Sequence, residues 1–337
     1  MHFLKIYKIS KMSEGNPNIF LHNQQQNPSN QTSSNNINNS NTQNNNNMTE
    51  NKSNQNMSQT QMNNPQPNAN ETEESKKANE EKLKLQYEMS IEYENSLRQE
   101  IEMSSPLVSE EIPTSVLMED YKSNSEYANS VKQITDKYKH IKKVRRDGNC
   151  FYRSFIFRLF EYICIKNNKT LYEHIVKKIK ESKDLIERNG YDWSFIQDFY
   201  NIFYMEFHHC FNSLESCQIS VRDYLDKLFS DKEKGNYLIY FVRFCIAAYL
   251  KENSFLYEVY VDGPFSNWIT SEVEAIDHEA DQIQIMVCVN YFEIGVRIEY
   301  LHPFKNETMK FPEDKPDDQI FITVLFTPGH YDLLYTQ

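Results

Sequence analysis

A thiol at position 150 stands where a nucleophile would. In "VRRDGNCFYRSFIFRLF", residues 144–160, a cysteine follows Asp147-Gly148-Asn149 and precedes a run of apolar and aromatic residues. Packing alone does not require a cysteine at such a junction. The thiolate is the nucleophile, and a free thiol is mostly protonated at neutral pH. A helix N-terminus lowers a thiol's pKa, because its unpaired N–H groups and dipole favour negative charge. Phe151, Phe155, Leu159 and Ile163 recur every four residues, which predicts a helix over 151–163. Asp147 or Asn149 is placed to cap it from the turn. Gly148 permits positive φ and close approach of a substrate carbonyl. The backbone N–H groups of Asp147, Gly148, Asn149 and Cys150 are then expected to form an oxyanion hole.

A cysteine nucleophile needs a base, usually histidine, oriented by a third group. Of nine histidines, His330 stands out in "LFTPGHYDLLY". Thr327-Pro328-Gly329-His330 reads as a turn, with Pro and Gly in its central places. Residues 330–335 alternate like a strand, where positions i and i+2 share a face. Asp332 therefore lies beside His330, able to fix its tautomer and stabilise the imidazolium. Cysteine first and His-x-Asp far downstream is the order of a papain-like thiol site. Taken alone, neither half decides the matter, since a cysteine after Gly-Asn and a histidine in a turn are both common structural residues.

The elements that must position these groups are mainly helical. Leu83, Tyr87 and Ile91, then Leu97 and Ile101, predict a helix from about residue 73 to 103, stopped by Pro106. A short helix is expected at "SVLMEDYK". Tyr127, Val131, Ile134, Tyr138 and Ile141 are spaced 4, 3, 4, 3, one apolar face of a helix leading to the Cys150 turn. "SFIQDFYNIFYMEFHHCF" and "GNYLIYFVRFCIAAYLKEN" are the clearest later helices. "EADQIQIMVCVNYF" has partial helical spacing, but its Ile/Val density favours a strand. "GVRIEY", "QIFITVLF" and "HYDLLY" are expected strands. The fold class is therefore α+β, helices with a small C-terminal sheet.

Composition narrows the partners. The net charge of −12 splits into +2 over residues 1–70 and −14 over the rest. An acidic folded part argues against nucleic acid, which needs Lys and Arg to displace counterions. No apolar run approaches a membrane span and no signal peptide is read, so no membrane role is expected. Cys164, Cys245 and Cys288 lie in apolar surroundings and read as core thiols, in a reducing compartment. His208-His209-Cys210 with Cys217 invites a zinc reading, but the Cys-x6-Cys spacing is not a usual zinc pattern, and a structural cluster is expected. Residues 23–70 hold 19 Asn and 9 Gln without an aromatic, too little apolar surface to fold, so a disordered tail is expected. The domain plan is then a tail over 1–72, a helical arm over 73–133 and a catalytic domain over 134–337.

"DGNCFYRSF" together with "PGHYDLLY" resembles the otubains, cysteine deubiquitinases of the ovarian-tumour superfamily. "RQEIEMSSPLVSE", "SVLMEDY", "KYKHIKKVRRDGNCFYRSF", "IQDFYNIF", "EADQIQIMVCV" and "IGVRIEYL" extend the likeness, in order, over about residues 85–337. The match through "PLVSE" points to the otubain-1-like branch. The resemblance implies a papain-like fold with a mixed or antiparallel sheet. It implies Cys150 as nucleophile, His330 as general base and acid, Asp332 as the group orienting it, and Asp147 as the residue shaping the loop beside the thiol. The reaction implied is hydrolysis of isopeptide bonds at ubiquitin's C-terminal Gly, in chains of the proteasome-targeting linkage, with no metal or cofactor. Implied partners are ubiquitin, polyubiquitin and, as an alternative role without catalysis, charged ubiquitin-conjugating enzymes. A monomer in the cytoplasm, with or without the nucleus, is expected. Met286, Val287 and Cys288 depart from the small residues of relatives, and the tail has no counterpart in the family.

Overall fold

The computed structural model describes residues 73–212, 219–303 and 305–336. The expected disordered tail and Cys217 lie outside them. Helix α1 (Glu73–Ser104) ends two residues before Pro106, as its lack of an N–H demands. Its first part belongs to a unit ending at Glu92, where Leu83, Tyr87 and Ile91 are all exposed. The second unit takes the described residues from Tyr93 onward.

That unit is built on one mixed sheet. Strands β1 (Val108–Pro113) and β2 (His140–Val144) flank the short α2 (Val116–Asp120) and α3 (Ala128–Lys137). Then come α4 (Cys150–Ile165), α5 (Lys169–Arg188), α6 (Trp193–Asn212), α7 (Val221–Ser230) and α8 (Lys232–Glu252). After three short helical segments (Ser254–Tyr257, Glu258–Tyr260 and Phe265–Trp268) and a π-helical one (Ile269–Glu274) follow α9 (Gln282–Phe292), β3 (Val296–Tyr300), β4 (Glu307–Phe311), β5 (Ile322–Thr327) and β6 (His330–Tyr335). The strand order is β1-β2-β6-β5-β3-β4, parallel only between β3 and β5. The α+β expectation holds, with a larger sheet than a C-terminal one.

Both faces of the sheet are covered. The main core gathers Phe151, Phe155, Leu159 and Ile163 of α4 with Phe203 and Phe207 of α6, Phe241 of α8 and Leu333 of β6. A smaller cluster joins Leu117, Val131, Ile134 and Tyr138 to Ile141, Leu301, Leu325 and Leu334. Parity along β6 therefore puts His330 and Asp332 on the face of Leu334 and the smaller cluster, and Tyr331 on the face of the main core.

Three expectations are corrected. The apolar series from Tyr127 to Ile141 is not one helix. It breaks after Lys137, where Tyr138 turns extended (φ −115°, ψ 137°), and Ile141 sits in β2. Its members still meet in one cluster, which is why the spacing looked continuous. "QIQIMVCVNYF" is α9 and not a strand. Asp281 accepts from the helix's first turn and Gln284 accepts from the Asp281 N–H, a capping box that starts a helix. Its Ile and Val reflect burial nearly all round. A domain boundary at 134 falls inside α3, because β1 pairs with β2 and α2 and α3 cover the sheet.

A chain of residues 134–337 would lose β1, α2 and most of α3, leaving Ile141, Leu325 and Leu334 uncovered. It is expected to show no cooperative thermal transition, whereas residues 100–337 melt as one unit; circular dichroism on the two fragments checks this.

Candidate active site

The β6 end of the sheet and the N-terminus of α4 converge. Phe151 and Tyr331 meet edge to face, with ring centroids 5.7 Å apart. The backbone N–H of Tyr331 donates to the Cys150 sulfur. Cys150 is thus brought beside β6 at the residue after His330, although 180 residues separate the cysteine from the histidine. Cys150, His330 and Asp332 are all nearly fully buried.

His330 and Asp332 face the same side of β6, as strand parity predicts. His330 Nε2 lies 2.8 Å from Asp332 Oδ1. The same carboxylate oxygen accepts the Val144 N–H of β2 at 2.8 Å. Lys143 Nζ stands 3.8 Å from the other oxygen. The carboxylate is thereby held by the neighbouring strand, and it holds one imidazole nitrogen. The other, Nδ1, is buried without a hydrogen-bond partner. A buried polar atom left unpaired is costly, and at functional sites it marks a place for a reacting group.

Asp147 is fixed from α4. Arg153 binds it through two parallel bonds of 2.8 and 2.7 Å. Such a bidentate pair sets orientation as well as charge. Asp147 Oδ1 also accepts the Asn149 N–H at 3.1 Å. Between them Gly148 has φ +75°, and a Cβ there would lie 2.0 Å from the Asp277 carbonyl oxygen. Glycine is required at this position both for its conformation and for its size.

The turn differs from expectation in two respects. Neither Asp147 nor Asn149 caps α4. The Asn149 side chain is turned away to Asp277, whose Oδ1 accepts from it at 2.8 Å. The first-turn N–H groups are therefore not occupied by a cap. The expected four oxyanion donors also reduce to two. The Asp147 N–H donates to the Arg145 carbonyl, and that of Asn149 to the Asp147 carboxylate. Neither of those bonds involves the Gly148 or Cys150 N–H group.

The thiol's acidity is also not as the helix dipole alone suggests. Burial pushes Cys150 up to about 11, against the pull of the Tyr331 N–H, and the Asp147 charge adds to the rise. Desolvation of a thiolate outweighs one helix terminus. Burial thus favours the protonated thiol over the thiolate.

The expected core thiols are buried or half-buried. His208 Nδ1 is engaged by the Tyr172 hydroxyl at 2.5 Å. Among the described residues no cluster of His, Cys, Asp and Glu is placed to hold a metal ion. No helix among them is long and apolar enough to cross a membrane. Sequence reasoning passed over Arg243 of α8 and the loop of residues 275–281, both of which touch the Cys150 turn. Arg243 in "YFVRFC" is a cation inside an apolar helix, and that was the available signal.

The family model described as peptidase C65, otubain, matches residues 100–336. "Ubiquitin thioesterase OTUB1" of Homo sapiens is 32% identical over 248 residues, 72% of this chain and 88% of that protein. "Ubiquitin thioesterase otubain-like" of Caenorhabditis briggsae is 32% identical over 249 residues, 69% and 82% of the two chains. Among solved structures, "The structure of h/ceOTUB1-ubiquitin aldehyde-UBCH5B~Ub" aligns with a TM-score of 0.66 at 26% identity, over 74% of this chain and 98% of that one. "The structure of a ceOTUB1 ubiquitin aldehyde UBC13~Ub complex" gives 0.65 at 25% identity, over 72% and 97%. The matched span begins in the last turn of α1 and runs through β6, taking in each strand and helix that places Cys150, His330 and Asp332; the chain belongs to the otubain family of C65 peptidases.

Proposed function

We propose that this protein is a deubiquitinating cysteine hydrolase acting on isopeptide bonds at the C-terminal Gly of ubiquitin. The observation that carries this reading is the buried His330–Asp332 pair, with its free Nδ1, on the strand whose next residue, Tyr331, donates its N–H to a thiol at an uncapped helix N-terminus. A packing cysteine would have no use for such surroundings, and the names of the relatives support the same activity.

The residues divide the work as follows. His330 Nδ1 takes the Cys150 proton as the substrate carbonyl arrives. Asp332, on Nε2, keeps the proton-accepting tautomer and stabilises the imidazolium that forms. The Cys150 sulfur bonds to the carbonyl carbon, and the oxyanion that develops is received by the N–H groups of Gly148 and Cys150. The tetrahedral intermediate collapses with loss of the lysine amine, which leaves with the proton from His330. Water, deprotonated by His330, then cleaves the acyl-enzyme and restores the thiol. Asp147 acts on the geometry of the turn, through its bond to the Asn149 N–H.

The preferred substrate is polyubiquitin of the proteasome-targeting linkage, a reading that rests on family likeness. A second reading is binding and inhibition of ubiquitin-charged conjugating enzymes. It is favoured by the matched complexes, which pair OTUB1 with UBCH5B~Ub and UBC13~Ub. The exposed Leu83, Tyr87 and Ile91 of α1 suit an arm that meets a partner. The two readings do not exclude each other.

Incubation with di-ubiquitins of each linkage tests the first. Cleavage of the proteasome-targeting dimer is expected, falling more than about a thousandfold in Cys150→Ala, as for removal of other catalytic nucleophiles. Cleavage that persists in Cys150→Ala would refute the nucleophile; a folded protein inert on every dimer would shift the weight to the inhibitor reading. The raised thiol pKa gives a second test. A thiol with a pKa near 11 loses its proton as pH rises, so its thiolate fraction grows about tenfold per unit between pH 7 and 10. Alkylation of Cys150 in the free protein, followed by peptide mass spectrometry, is expected to rise with that slope. A plateau beginning below pH 7 would instead mean a preformed thiolate–imidazolium pair.

A further inference from the structure

Arg243 lies in the middle of α8 and is fully buried. Its Nη2 donates to Asn149 Oδ1 at 2.8 Å, to the His278 carbonyl at 2.6 Å and, more weakly, to the Gly148 carbonyl at 3.4 Å. Nη1 donates to the Val273 carbonyl at 3.0 Å. The guanidinium carbon stands 4.2 Å from the centre of the Tyr152 ring, in the first turn of α4. One side chain thus ties together the Cys150 turn, the start of α4 and the segment from Val273 to His278.

Stability does not account for this arrangement. A buried charge is costly to desolvate, and well-packed apolar residues of similar volume commonly do as well or better. Here the charge is partly compensated, with Asp277 and Asp147 near enough to favour it. What an apolar side chain could not do is orient peptide groups. The Gly148–Asn149 peptide is the one that sets the direction of the turn. Its carbonyl is held by Arg243 and its N–H by the Asp147 carboxylate. Asn149 itself has no freedom, because its side chain is bonded at once to Arg243 and to Asp277. Asp277 in turn adopts φ +68°, which is uncommon for a non-glycine residue. Its carbonyl fills the space where a Gly148 side chain would be.

We propose that Arg243 is a positioning residue for the oxyanion-binding turn. It acts through Asn149 and the Gly148 carbonyl, and it locks the loop of residues 275–281 against the turn, so that the Gly148 and Cys150 N–H groups stay aimed at the scissile carbonyl. The inference rests on the reading of Cys150 as the nucleophile. Arg243 touches neither the thiol nor His330 among its bonds, so substrate binding in the ground state does not depend on it. Transition-state stabilisation does, because donors that wander from their aim lose the advantage of being fixed beforehand.

The test uses the full-length protein and ubiquitin carrying a C-terminal fluorogenic amide. Arg243→Met keeps the bulk and removes the donors; Arg243→Lys keeps the charge and one donor set; Asn149→Ser removes the carboxamide through which Arg243 acts. Arg243→Met is expected to lower kcat by about 10- to 100-fold, with KM within about threefold, a smaller effect than direct loss of an oxyanion donor. Arg243→Lys recovers part of kcat. The Arg243→Met/Asn149→Ser double variant is no worse than the poorer single, since both break one linkage. Losses that merely follow the folded fraction, a change in KM at constant kcat, or additive losses in the double variant would overturn the proposal. If Arg243→Met does not fold, unchanged kcat in both Arg243→Lys and Asn149→Ser overturns it equally. A wild-type protein that releases no fluorophore would instead strike at the hydrolase reading, so the two failures are told apart.

Discussion

The contact of Phe151 with Tyr331 is what the site depends on. Phe151 is the residue after the thiol, and Tyr331 is the residue after the histidine. Their rings lock the first turn of α4 onto β6, and both belong to the main core. β6 is an interior strand, bonded to β2 on one side and β5 on the other. It therefore cannot slip by one residue without turning His330 and Asp332 to the wrong face. Position at the site is inherited from a wholly buried interior strand and a largely buried helix. That suits a catalytic group, which loses rate when it wanders by fractions of an ångström.

A site placed in a core must deal with buried polar atoms. Asp147 is answered by Arg153, Asp332 by His330 and the Val144 N–H, and Asn149 by Arg243 and Asp277. His330 Nδ1 remains unanswered, as do Arg243 Nε and the Tyr152 hydroxyl, and no side chain caps the helix N-terminus. Of these, His330 Nδ1 and the helix N-terminus are what hydrolysis of an acyl bond would use. The same burial holds the thiol in its protonated form, so acidity is not built into the resting cysteine. In the proposed reaction it arises from transfer to His330 as the substrate excludes water and supplies a partner.

Much of this was legible in the sequence because it is local. The turn at Asp147-Gly148-Asn149, the four-residue repeat after it, and the i, i+2 relation of His330 and Asp332 need no tertiary knowledge. Family likeness then joined the two halves. The unread parts are those whose cause is distant. Arg243 reaches Asn149 across 94 positions, and Asp277 reaches it across 128. No periodicity reports such partners. The thiol's raised pKa is illegible for the same reason, since burial is a property of the packed core and the helix terminus is a property of the segment. α9 differs in kind. Its capping box of Asp281 and Gln284 is local, but its Ile/Val density, which comes from burial nearly all round, resembles that of a strand.

The most direct test of the account is covalent. The protein would be treated with ubiquitin bearing a C-terminal electrophile, digested, and mapped by mass spectrometry. The account predicts a single ubiquitin adduct on Cys150, abolished by Cys150→Ala and strongly slowed when His330 is replaced. An adduct on another cysteine, or none on Cys150 in the folded protein, would contradict it.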